Sequence, residues 1–170
     1  MPYIFTQNWF EQNSGYWSHL KKYLHDTFGQ NLKCLDVGTF EGRSAIYMLD
    51  NLVGDNGELF IVDPMRTKYK QTLLDNLVAS GKRESVIICE GDSLTRMPEL
   101  LNHHDQSFDF IYIDAGKSAS DNLLNLLIGE RLLKKKGLIV MDDYMWGLNP
   151  DNDKRGLPNT GAHFFALCSM

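Results

Sequence analysis

Four places in this sequence combine residue types that could do chemistry, and each follows a short apolar run. The first is Cys34-Leu35-Asp36-Val37-Gly38-Thr39-Phe40-Glu41-Gly42-Arg43-Ser44. An apolar run, a glycine turn and a helix start leave free backbone N–H groups beside space that side chains would otherwise fill, which suits an anionic or nucleotide-type ligand. Neither standard phosphate motif fits. A Walker A loop has four residues between its glycines and then Lys-Ser/Thr, whereas three intervene here and Arg43 follows. The dinucleotide fingerprint fails at its middle glycine, where Phe40 stands.

The second place is Asp63, after Ile61-Val62 and before Pro64. A carboxylate at a strand end can accept hydrogen bonds from both hydroxyls of a ribose, but Asp before Pro also suits a helix N-cap. Third comes Glu90-Gly91-Asp92-Ser93, where a backbone amide and a short polar side chain could meet an adenine edge or cap the next helix. Fourth are Asp114-Ala115-Gly116-Lys117 and Asp142-Asp143-Tyr144. Their separation fits one strand–helix–strand crossover, so Asp114 and Asp142 are expected side by side at one sheet edge. Three like charges in one cleft call for compensation, and a hard divalent ion with oxygen ligands supplies it. Lys117 is the other candidate, with Asp142 and Asp143 then capping a turn.

The elements that must position these residues alternate. Short apolar runs over 32–37, 59–62, 85–89, 108–113 and 138–141 read as strands. Helical patterns over 44–52, 68–80, 94–102 and 118–133 lie between them. That order predicts an α/β fold, a Rossmann-like parallel sheet with helices on both faces. Gly81 and Gly137 read as glycines that stop two of the helices. Residues 1–30 form an aromatic-rich lead-in whose helical spacing predicts a helix over the sheet edge or lip, and 31–170 form the main domain. A polar, turn-rich loop runs from Asn149, and a short apolar helix is expected over 162–168.

Composition narrows the options. The 170 residues carry 22 acidic and 17 basic side chains, a formal charge of −5, with 43% hydrophobic and 23% charged residues. This suits one globular domain and argues against a chain built to hold nucleic acid. No apolar run is long enough to span a membrane and the start lacks a signal-peptide pattern, so a cytoplasmic location is expected. Three scattered cysteines and five histidines show no zinc-type spacing.

Together, the Asp36-to-Gly42 loop, Asp63, Gly91-Asp92-Ser93, the run ending in Asp114 and Asp142-Asp143-Tyr144 resemble the class I S-adenosylmethionine-dependent methyltransferases. Within that class the sequence is most similar to small O-methyltransferases of the catechol, caffeoyl-coenzyme A and macrolide-sugar type. The resemblance implies S-adenosylmethionine bound by Asp36, Gly38, Gly42 and Ser44 at its methionine part, by Asp63 at ribose, and by Asp92 and Ser93 at adenine. It also implies magnesium on Asp114, Asp142 and Asp143, with Lys117 or Asp114 taking the proton of a small-molecule hydroxyl acceptor. Related bacterial members often carry a histidine where Lys117 stands, so a histidine base is absent here. Members usually add two further strands after the last helix, for which the sequence up to Met170 offers no candidates. An open sheet edge of that kind would invite pairing into a homo-oligomer. Two rivals are a non-catalytic domain that keeps the cofactor pocket and, more remotely, a nicotinamide-dependent oxidoreductase.

Overall fold

A computed structural model describes residues 2–8, 10, 14–116 and 118–143. Among the described residues five strands, β1 (Lys33–Val37), β2 (Glu58–Asp63), β3 (Val86–Glu90), β4 (Phe108–Ile113) and β5 (Leu133–Met141), form one sheet in the order β3-β2-β1-β4-β5. Every neighbouring pair is parallel. Five helices, α1 (Ser14–Phe28), α2 (Arg43–Asn51), α3 (Thr67–Ala79), α4 (Ser93–His104) and α5 (Ala119–Leu132), flank it.

The apolar runs work as buried parallel strands because alternate residues serve opposite faces. Leu59, Ile61, Phe110 and Tyr112 join Trp17, Leu24, Met48, Leu49, Leu73 and Leu77 in one core, beneath α1, α2 and α3. Phe60, Val62, Phe108, Ile111 and Ile113 join Met97, Leu100, Leu126 and Leu132 in the other, beneath α4 and α5. Helices thus cover both faces, as the sequence alternation implied. Strand order reverses at β1, which pairs with β2 on one side and β4 on the other, and such a switch point opens a crevice at the strands' carboxyl ends.

Three expectations need correction. Gly137 does not stop a helix: α5 ends at Leu132, β5 begins at Leu133, and Gly137 lies within it. Pairing jumps from Phe108↔Leu133 to Phe110↔Leu138, so residues 134–137 bulge out opposite Asp109. Lys136 takes φ 71° there, and a Cβ on Gly137 would come within 2.7 Å of the Leu133 side chain and 3.0 Å of the Asp109 carbonyl oxygen. The lead-in helix covers a sheet face rather than its lip, since Trp17 stacks edge-on against Phe110 and Tyr112. Residues 2–8 are not helical. Among the described residues β3 and β5 are the outer strands. The expected late loop, the helix over 162–168 and any further strands lie outside the described residues.

Candidate active site

The carboxyl ends of the strands surround a cavity of about 1100 Å³. Gly38, Ser44, Asp63, Asp92, Ser93, Asp114, Asp142 and Asp143 all line it, and Gly42 sits at the start of α2 beside it. Asp36 is 0% exposed beneath the loop, where its Oδ2 accepts a 2.8 Å hydrogen bond from the Ser44 hydroxyl and its Oδ1 has no protein partner. Burial pushes its carboxyl up to about 7, the Ser44 and Thr39 hydroxyls oppose this, and the Asp114 and Asp63 charges add to it.

The two loop glycines have structural reasons the sequence reading did not contain. Gly38 takes φ 89°, and a Cβ there would lie 2.3 Å from the Asp114 carbonyl oxygen, so the close approach is first to β4's end and not only to a ligand. Gly42 takes φ 92°, and a Cβ there would lie 2.6 Å from the Leu73 side chain of α3. Both backbones are in the left-handed region that favours glycine.

Asp63 is buried and is not a helix cap, since α3 starts after Arg66 with no side-chain cap. Its Oδ1 accepts from the Met65 N–H at 2.6 Å and the Tyr69 hydroxyl at 3.0 Å, while Oδ2 accepts from the Phe40 N–H at 3.0 Å. The carboxylate therefore ties the first loop to the start of α3 and stands at the cavity wall. Asp92 does cap: its Oδ1 accepts from the Leu94 N–H at 2.9 Å and begins α4, while Ser93 is buried beside it.

Asp114 and Asp142 emerge side by side as expected, because the Asp114 N–H donates to the Val37 carbonyl and the Asp142 N–H to the Ile113 carbonyl, both at 2.8 Å. Asp142 Oδ1 accepts from the Asp143 N–H at 2.8 Å and Oδ2 from the Tyr112 hydroxyl. Asp143 takes φ 55° at this turn. Burial, then the Asp114 and Asp142 charges, raise the Tyr112 hydroxyl above the ordinary phenol range, so it stays protonated and donates. Among the described residues no three His, Cys, Asp or Glu side chains gather closely enough to form a metal cluster. Lys117 lies outside the described residues.

A family profile described as "Methyltransferase domain" matches residues 35–144, from the first strand through the Asp142-Asp143 turn. The chain belongs to this methyltransferase family. Among similar sequences, the "Probable caffeoyl-CoA O-methyltransferase" of Arabidopsis thaliana is 32% identical over 117 residues, covering 68% of this chain and 49% of that one. Caffeoyl-CoA O-methyltransferase 1 of Eucalyptus globulus is 33% identical over 116 residues, 66% of this chain and 44% of that one. The chain thus spans about half the length of the plant relatives it matches. In fold, the domain is similar to the O-methyltransferase TomG of Streptomyces achromogenes, solved in complex with SAM, with TM-score 0.68, 22% identity, and 88% and 67% of the two chains covered. It is likewise similar to an O-methyltransferase of Bacillus cereus solved with SAH, at TM-score 0.67, 22% identity, and 89% and 69% coverage.

Sequence reading missed some of what shapes this cavity. Tyr112 lies inside the apolar run over 108–113 and is not singled out from sequence, although a tyrosine two positions before a strand-end aspartate carries a hydroxyl that must find a partner when buried. Tyr69 had no local signal at all. In the described residues no helix is long and apolar enough to cross a membrane.

Proposed function

We propose that this methyltransferase domain binds S-adenosylmethionine in the strand-end cavity and moves its methyl group to a hydroxyl of a small molecule, aided by a divalent ion. The observation that carries the reading is the convergence at the sheet's switch point: the glycine loop, Asp63, the Asp92-Ser93 turn and the Asp114/Asp142 strand ends all face one cavity. A cavity of this size exceeds what one drug-sized ligand needs and leaves room for a second molecule beside it.

In this reading Gly38 and the backbone up to Ser44 hold the methionine part, Asp63 the ribose, and Asp92 and Ser93 the adenine. Asp36 contributes from below as a buried carboxyl with an oxygen still to satisfy. The acceptor oxygen attacks in line, the methyl–sulfur bond breaks as the oxygen–methyl bond forms, and the hydroxyl proton passes to Asp114 or to a neutral Lys117 amine. The donor set at the strand ends suits a hard cation: Asp114, Asp142 and Asp143 offer only oxygen, and Asp142 is already oriented by Tyr112 and the Asp143 N–H as an outer shell would orient a ligand. Forming that site requires the three side chains to draw together. Once bound, a magnesium ion would lower the acceptor hydroxyl's pKa.

The test pairs titration of S-adenosylhomocysteine with assays of methyl transfer to a panel of diols and phenols, with and without EDTA. Binding, with transfer lost to EDTA and restored by magnesium, is expected, and Asp142→Ala should resemble the chelated protein. Transfer that survives EDTA would refute the metal and leave Asp114 or Lys117 to act alone. Binding without transfer would point to a non-catalytic domain.

A further inference from the structure

Residues 3–6 cross the surface above the loop that joins β1 to α2, and the loop is tied to them by its own Glu41 and by Asn76 of α3. Glu41, only 6% exposed, accepts from the Thr6 N–H at 2.7 Å on Oε2 and from the Thr6 hydroxyl at 2.8 Å on Oε1. Asn76 is 2% exposed in the interior of α3, where asparagine is a poor helix former. Its Oδ1 accepts from the Ile4 N–H at 2.8 Å, and its Nδ2 donates to the Ile4 carbonyl at 2.8 Å and to the Glu41 carbonyl at 2.9 Å. The Arg43 guanidinium, at the first position of α2, lies over the Phe5 ring at 4.6 Å from its centre.

Glu41 sits between Gly38 and Ser44, inside the loop assigned above to the methionine part, and Phe5 lines the same cavity. A buried carboxylate that loses two donors carries an uncompensated charge, so the loop cannot keep this conformation at low cost once the segment leaves. We infer that residues 3–6 are a strap that holds the cofactor loop in its binding conformation, with Glu41 and Asn76 as positioning residues and Thr6 as the clasp. The inference rests on the cofactor reading proposed above. It gives a half-exposed segment, remote in sequence and with no chemistry of its own, control over cofactor affinity. Linkage makes the control reciprocal: an occupied loop holds the strap more tightly.

The test measures S-adenosylhomocysteine affinity by calorimetry in the full chain, together with amide exchange in the peptide covering residues 2–8. Thr6 is exposed, so Thr6→Val removes the hydroxyl donor without disturbing the core. Thr6→Val is expected to weaken binding roughly tenfold, the size of one hydrogen bond to a charged group. Thr6→Ser keeps both donors and should stay within about twofold of the native chain. Ligand should slow exchange in residues 2–8 of the native chain and less so in Thr6→Val. Glu41→Ala, which removes both acceptors, should reproduce the loss with an unchanged far-ultraviolet spectrum. Native binding that Thr6→Val leaves unaltered, or exchange indifferent to ligand, would overturn the strap while the cofactor reading stands. No binding by the native chain would overturn both.

Discussion

Asp36 shows how one buried side chain couples this fold to pH. Its carboxyl is pushed up to about 7, with burial as the main cause, from an ordinary value near 4 in the unfolded chain. Below about pH 4 both states are protonated and the group makes no difference to stability. Between about 4 and 7 the folded chain keeps a proton that the unfolded chain has released, so stability falls as pH rises, and above about 7 the full cost of a buried charge is present. Asp36→Asn retains an acceptor for the Ser44 hydroxyl and cannot ionise. The variant is therefore expected to match the native chain at pH 4 and to exceed it at pH 8, by on the order of 2–4 kcal/mol as an upper range. Urea titrations of both proteins across that interval check this, and parallel curves would show that the carboxyl is neutralised by some other route. Legibility at this scale was uneven. The strand-end acids announced themselves because a polar residue that ends an apolar run is conspicuous. Tyr112, Glu41 and Asn76 did not, because each acts through a partner 30 to 72 positions away and leaves no local pattern.

Among the elements, the clearest result is the place of α1. Trp17 is 2% exposed and meets Phe10, Tyr47, Phe110 and Tyr112 edge-on, with ring centres 4.7 to 5.4 Å apart. Through it the lead-in helix shares one core with α2 and β4, and beneath that core's rim the Tyr112 hydroxyl reaches Asp142. Trp17→Ala is expected to cost about 3–5 kcal/mol of stability, whereas Tyr16→Ala, at a residue 73% exposed, should change it by less than about 0.5 kcal/mol. Chemical denaturation of the two variants makes the comparison, and equal effects would mean that α1 does not belong to the cooperative unit. The strands were readable because parallel strands buried on both faces must be nearly continuous apolar runs. Gly137 misled because a glycine after a helical pattern suggests a stop. Here it serves a bulge whose Lys134 reaches the buried Asp109 at 2.8 Å, and a bulge has no periodicity to betray it.

Across the whole molecule, the sheet order β3-β2-β1-β4-β5 divides the chain at its central strand. On one side, β1, β2 and β3 are joined by one α-helix at each crossover and pair with their nearest neighbours in sequence. On the other, Cys34 of β1 pairs with Phe110 of β4, and everything from α2 to α4 intervenes. The arrangement that creates the crevice therefore also sets a timetable, because the distant pairing must meet a larger loop-closure cost before it returns any stability. The β1–β2–β3 half is expected to assemble first, with β4 and β5 docking onto a β1 that waits with one edge bare. Ile61→Val, in β2, should then slow folding, while Ile139→Val, in β5, should leave folding nearly unchanged and hasten unfolding. Stopped-flow chevrons separate the two, and the reverse pattern would place the nucleus in the second half. On this schedule the cavity comes into existence late among the described residues, since its β1 loop is made early and its aspartates at 114 and 142 arrive only with β4 and β5.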